Sequence, residues 1–337
     1  MAYTTIDDPS AYFKVQLYTG NGTAIGSGGN AITFNDTDTD MQPDWVWIKS
    51  RSSAEHHMLF DSVRGVTKAL KTSAQDAEAT GSEFLTAFGS DGFTVGSHDK
   101  VNANTVTYVA WCWKESATAG LDIVGYTGNA TARTIAHNLG VVPKTVIVGD
   151  RGEANGMRIS SENITGTDEG SIKLFNTAAE GTGYFPATAP DASNFSLTTH
   201  GSVNTDGSTY IAYVLAPVQG YSKFGTLTGN GAGGSNPDRD GTFVYCGFSP
   251  SLVIYKITDG TGNWVMQDTT RDGLNPSQKN IYANAVTAEG TSDGRAIDIL
   301  SNGFKLRGGD FGTNKVIFMA WAEAPFVNSN GVPCTAR

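Results

Sequence analysis

One short turn recurs three times in this 337-residue chain: YTGNG at 18–22, YTGNA at 126–130 and LTGNG at 227–231. Four further landmarks follow it in a constant order. A proline leads an apolar run: Pro43 before WVWIK, Pro143 before TVIVGD, Pro250 before LVIYK. Next come the Ala-Glu pairs ending at Glu78, Glu180 and Glu289, then strands led by Phe93, Phe195 and Phe304. A long apolar strand closes each copy, with Tyr108, Tyr210 and Phe318 at the matching place. The Glu and Phe landmarks are both spaced by 102 and then 109 residues, so the copies stay in phase. A period this long exceeds that of a solenoid repeat or a propeller blade, and each copy is read as a whole domain.

Within a copy the pattern is β. DWVWIKS and KTVIVGD mix apolar alternation with β-branched and aromatic residues, which suit a pleated, half-buried surface. TVTYVAWCW and KVIFMAW are apolar on both faces, as expected of a central strand covered on both sides, either within a sandwich or by a partner chain. The best helix candidate is SVRGVTKALKTSAQDAEAT, weakened by Gly65. The 41 glycines and abundant Thr, Ser, Asn and Asp supply the turns of a strand-and-hairpin fold. The expected fold class is all-β: three tandem homologous β-sandwich domains, jelly-roll or lectin-like, with few helices. The boundaries read as an N-terminal arm (1–12), repeats at 13–118, 119–219 and 220–326, and an extended C-terminal tail (327–337) around Gly331 and Pro333. At about 100 residues each unit is large enough for its own core.

A net charge of −10 argues against nucleic acid as a partner, because such binding draws on Lys and Arg. No stretch is apolar for 18 residues and the N-terminus lacks a basic and an apolar segment, so neither membrane insertion nor a secretory signal is expected. Cys112, Cys246 and Cys334 form no disulfide framework or zinc pattern; Cys112 and Cys246 sit in apolar runs as small core residues, and folding in a reducing cytosol is expected.

Enzyme motifs match only on paper. GNGAGG (229–234) satisfies GxGxxG, but SNPDRDGTF follows where a dinucleotide fold needs a helix. GTSDG around Ser292 lacks the strand-to-helix setting of a nucleophile elbow. His56, His57, His98, His137 and His200 form no metal motif, and none recurs in all three copies. Asp36, Asp38 and Asp40 alternate as in calcium loops, yet the turn glycine and closing glutamate are missing, so a solvated acidic loop is expected. Asp61 and Arg64 match Asp268 and Arg271 in register, while the middle copy has Ser161 and Ile164. That pair reads as a loop-pinning ion pair, worth ~0–1 kcal/mol if exposed. The recurrent glutamates read as fixing a turn or accepting backbone N–H bonds. No catalytic residue, cofactor or metal is assigned. Candidate surface or glycan contacts are the aromatics in loop-like settings, Trp264, Tyr282, Tyr184 and Phe185, whose rings suit apolar sugar faces.

Several segments resemble tail-associated proteins of tailed bacteriophages, those of marine and cyanobacterial phages above all. They are PDWVWIKSRSSAEHHMLFDSVRG, LTAFGSDGFTVG, YVAWCWK, NWVMQDTTRDGLNP, SNGFKLRGG and MAWAEAPFVNSNGVP. The resemblance covers the first and third copies well; the second departs most, with GMRISSENITG where the others carry a Trp- or Phe-bearing stretch. It implies a non-enzymatic virion protein, trimeric, assembled in the host cytoplasm and placed on the tail or another exposed surface. The implied partners are itself as a homotrimer, other virion proteins and host cell-surface polysaccharide. Tandem modules suit a fibre, since multivalency turns weak contacts into avidity. A tail-fibre or receptor-binding component is the leading expectation, a capsid decoration or head-fibre protein the alternative. A tailspike depolymerase is the third and least favoured reading, since it would need a short-repeat β-helix and a carboxylate site, and the sequence singles out neither.

Overall fold

The computed structural model describes residues 2–34, 39–161, 170–232 and 239–334. Nearly all regular structure is antiparallel β, as the alternating patterns require, and the two α-helices are single turns, Asp99–Asn102 and Gly201–Asn204. Each unit is a sandwich of a larger central sheet and a smaller outer one. In the first, the central sheet runs Phe13–Thr19, Thr107–Trp113, Trp45–Ser50, Met58–Asp61. The second repeats this order with Leu121–Thr127, Thr209–Leu215, Thr145–Asp150 and Met157–Ser161, then adds Ser171–Lys173. The third repeats it with Ser222–Thr228, Lys315–Pro325, Phe248–Ile257 and Val265–Asp268, and extends it with Lys279–Tyr282 and Gly290–Thr291.

Strand register fixes the equivalences between units. Trp45 faces Trp113, Thr145 faces Leu215 and Leu252 faces Trp321. Tyr18 faces Tyr108, Tyr126 faces Tyr210 and Leu227 faces Val316, so Val316 and not Phe318 is the counterpart of Tyr108. The misassignment has a physical source: the loop before the last strand is shorter in the third unit, which breaks a constant offset.

The three central sheets turn one face inward onto a common core. Trp45, Trp111 and Trp113 meet Ile147, Tyr213 and Leu215 of the second unit and Leu252, Met319 and Trp321 of the third. Trp45 stacks on Tyr213 at 4.4 Å, and Trp113 meets Trp321 edge-on at 5.3 Å. Their other faces pack on the outer sheets: Val46, Phe60, Phe93 and Tyr108 in the first unit, Val146, Phe195 and Tyr210 in the second. The expectation of a separate core for each unit is therefore half right. The outer layers of the first two units are their own, while the main core is shared. The two-sided apolar strands are covered on both faces from within the chain, so they require no partner chain.

Two further expectations change. Residues 62–80 form no helix: Gly65 and Thr67 take positive φ, and the segment makes short strands at Lys68–Ala69 and Ala79–Thr80. The described part of the C-terminal tail folds back, with Val327 bridging Pro333 and Ser329 bonded to Asp7. The N-terminal arm straps across to the third unit and its junction with the second: Ile6 enters the shared core, the Thr4 hydroxyl donates to Gln219 O at the junction, and that of Tyr3 donates to Gly247 O. The first glycine of each TGN turn is needed for close approach and not for positive φ. A Cβ on Gly20, Gly128 or Gly229 would enter the carbonyl oxygen of Ala103, Thr205 or Gly312. Positive φ falls two residues later, at Gly22, Ala130 and Gly231.

Candidate functional site

The structure divides the four predicted aromatic contacts. Trp264 is fully buried, because its position is a joint between units. Register makes it the counterpart of His57 and Met157. Its indole N–H donates to Lys173 O of the second unit at 2.9 Å. His57 does the same to the third unit: Trp47 Nε1–H donates to His57 Nδ1 at 2.8 Å, so Nε2 carries the proton and donates to Tyr282 O at 3.0 Å. Trp264 and Tyr282 therefore belong to equivalent joints, one through its side chain and the other through its backbone, and Trp264 is no surface contact. Phe185 is buried in the outer core of the second unit, and Tyr184 lies half-buried beside it.

The recurrent polar residues serve the same joints. Asp61 and Arg64 are buried, paired at 2.5 Å, with Arg64 N–H donating to Asp61 Oδ1; Asp268 and Arg271 repeat this at 2.6 Å. Each carboxylate then accepts from a neighbouring unit: Tyr213 Oη–H donates to Asp61 at 2.8 Å, and Trp111 Nε1–H donates to Asp268 at 3.0 Å. Glu78 accepts from Arg64 and from Arg151 of the second unit, and Glu289 from Arg271 and from Arg51 of the first. Burial alone would raise both glutamates, but the guanidinium hydrogen bonds and charges outweigh it and hold them below the usual carboxylate range. Burial and the Asp61 charge push the Tyr213 phenol well up, so it stays a donor. The pair expected as a loop pin is thus a buried clasp between units, and its glutamate bonds arginines in place of backbone.

One backbone contact closes the ring at every joint. Glu78 N–H donates to Arg151 O, Glu180 N–H to Thr258 O, and Glu289 N–H to Arg51 O. At the joint between the second and third units the other polar partners are replaced together: Ser161 stands for Asp61, Thr258 for Arg51 and Met319 for Trp111. Trp264 and Lys256, whose Nζ bonds Thr177 O at 3.1 Å, hold that joint instead. Ile164, Asp36 and Asp38 lie outside the described residues. Among the described residues no group of His, Cys, Asp and Glu is placed to hold a metal, and no helix is long and apolar enough to cross a membrane. Ser292 leads into a one-turn 3-10 helix, Asp293–Arg295.

A surface difference separates the third unit from the others. The edge strand of each outer sheet has two outward positions around a buried Ile32, Ile135 or Val244. They hold Ala31 and Thr33 in the first unit and Thr134 and Ala136 in the second. In the third they hold Phe243 and Tyr245, 44% and 48% exposed. The fold needs no ring there, since two of three copies do without one. Charged groups flank the rings: Lys305, opposite Phe243, pairs with Asp240, Lys223 Nζ lies 5.8 Å from the Tyr245 ring, and Arg307 pairs with Asp298 at 3.3 Å. The choice of Trp264 and Phe185 missed this face; aligning the units strand by strand would have found it.

Fold and sites together define an all-β protein of three sandwiches fused around one core, with clasps inside and one aromatic face outside. Residues 8–325 match the family described as a domain of unknown function (DUF7483), and the chain belongs to that family. No curated protein and no solved structure matches it.

Proposed function

We propose that this chain is a non-enzymatic structural protein of a tailed-bacteriophage virion, a tail-fibre or receptor-binding component that contacts host-surface glycan through the outer sheet of its third unit. The carrying observation is the exposed Phe243–Tyr245 pair, at positions where the other units have only Ala and Thr. Two rings on alternate residues of one strand stand about 7 Å apart on the same face, available to successive sugar rings. Asp240, Lys305 and Lys223 beside them offer hydrogen bonds to hydroxyls. The resemblance to phage tail-associated proteins supports the virion placement, and the strapped, clasped ring suits a part that must stay folded outside a cell.

Retention of the purified protein on host cell-surface polysaccharide tests the reading. The double variant Phe243→Ala, Tyr245→Thr takes the residues of the first unit and is expected to fold normally and to lose retention at least tenfold. Unchanged retention overturns the glycan face, and accumulation of reducing ends in the polysaccharide overturns the non-enzymatic reading. An electron-microscopy map of the virion decides between tail and capsid.

A further inference from the structure

The second unit departs from the others inside its outer core. The inner strand of its central sheet presents Arg158 and Ser160 to that core, where the first unit presents Met58 and Phe60 and the third Val265 and Gln267. Arg158 is 4% exposed, its guanidinium lying 5.0 Å from the Phe175 ring centre and 4.6 Å from that of Tyr184. Nη2 donates to Ser202 Oγ at 3.1 Å, while Nε and Nη1 have no hydrogen-bond partner. Among the described residues no carboxylate pairs with it. An arginine cannot shed its proton in a protein, so among the described residues this is a buried charge without a counter-charge, a costly arrangement to keep. It stands in a chain of net charge −10, where acidic partners were abundant.

A histidine lies against the same tyrosine ring. His200 lies 4.4 Å from the Tyr184 ring; burial lowers its pKa first, and the charges of Arg158 and Lys173 lower it further. Where Phe60 would fill the core, a cleft is lined by Val146, Ser160, Phe185, Pro190 and Phe195, and Ser160 stands two residues from Arg158 on the same strand face. A buried donor without a partner calls for a water or an ion, and a guanidinium selects an anion.

We propose that the outer core of the second unit is an oxyanion site, with the Arg158 guanidinium as its charge and Ser202 and His200 beside it. The ligand class is a sulfate, a phosphate or the carboxylate of an acidic sugar. The site is independent of the aromatic face of the third unit.

Thermal unfolding in sodium sulfate against sodium chloride of equal ionic strength tests this, with sodium glucuronate against glucose as a second arm. Wild-type protein should show a saturable rise in Tm, about 2–4 °C at ten times the dissociation constant. Arg158→Met, which restores the residue of the first unit, should show no such rise and should be at least as stable in chloride. A response to sulfate alone identifies a free inorganic oxyanion; a tighter response to glucuronate identifies a sugar acid. Equal responses of wild type and variant, or no response of the wild type, overturn the site. Should the variant not fold, equilibrium dialysis of wild-type protein against radiolabelled sulfate and labelled glucuronate decides the matter: saturable retention of either supports the site and its absence overturns it.

Discussion

The Tyr213 hydroxyl donates to Asp61 Oδ2 at 2.8 Å, across the boundary between the second unit and the first. Both residues are fully buried, and the same carboxylate holds Arg64. A single side chain thus couples the ion pair of one unit to the central strand of the next.

Tyr213→Phe removes that donor without opening a cavity, and should lower stability by about 1–2 kcal/mol. Asp61→Ala leaves Arg64 charged and buried and should cost about 3–5 kcal/mol. Urea unfolding monitored by tryptophan fluorescence measures both; equal losses would show that the clasp does not rest on the carboxylate.

Replacing Gly20 with Val drives a side chain into the Ala103 carbonyl and should destabilise by about 1–3 kcal/mol or more. Because Trp45, Tyr213 and Trp321 lie in one core, calorimetry should show the whole chain melting earlier in one transition. A separate early melt, with the rest unchanged, would mean that the units fold independently.

His57 is buried, and burial first, then the Lys49 charge, holds it neutral well below its usual pKa. The unfolded chain gains a proton near pH 6.5 that the folded one refuses, so stability falls as pH drops below that value, by up to about 1.4 kcal/mol per unit. His57→Met, the residue of the second unit, should remove this component of the slope between pH 5 and 6.5. An unchanged slope in denaturant titrations would assign it elsewhere.

Glu115 behaves oppositely. Burial first, helped by the Asp122 and Asp44 carboxylates against a hydrogen bond from Ile123 N–H, raises it to about 7. Its folded form holds a proton that the unfolded form has released, so its contribution is present at acid pH and is lost as pH rises through 7. Glu115→Gln should therefore raise Tm at pH 8 relative to wild type and change it little at pH 4. A gain at both values would contradict the titration.

Much of the fold was legible in the chain. The TGN turns, the Phe-led strands and the two-sided apolar strands located three equivalent β units, because steric fit in a turn and alternation in a strand are local constraints. The joints were less legible. Asp61, Arg64 and Glu78 could be seen to recur, but Tyr213 and Arg151 lie far along the chain, and no local pattern reveals what a buried carboxylate will meet. Trp264 looked exposed because Gly262 and Asn263 precede it, yet packing against the second unit buries it. Nothing local marked Phe243 and Tyr245 as exposed, since alternation does not say which face of an edge strand is covered.

By itself the sequence determined the triplication, the all-β class and the turns that need glycine, since backbone sterics and side-chain periodicity act over a few residues. Only the tertiary structure decided that the three units share one core, that the recurrent ion pairs clasp neighbours, and that Arg158 is enclosed with no counter-charge among the described residues. Those outcomes depend on which surfaces meet across a hundred residues or more, and burial, with the electrostatics it commands, exists only once they have met.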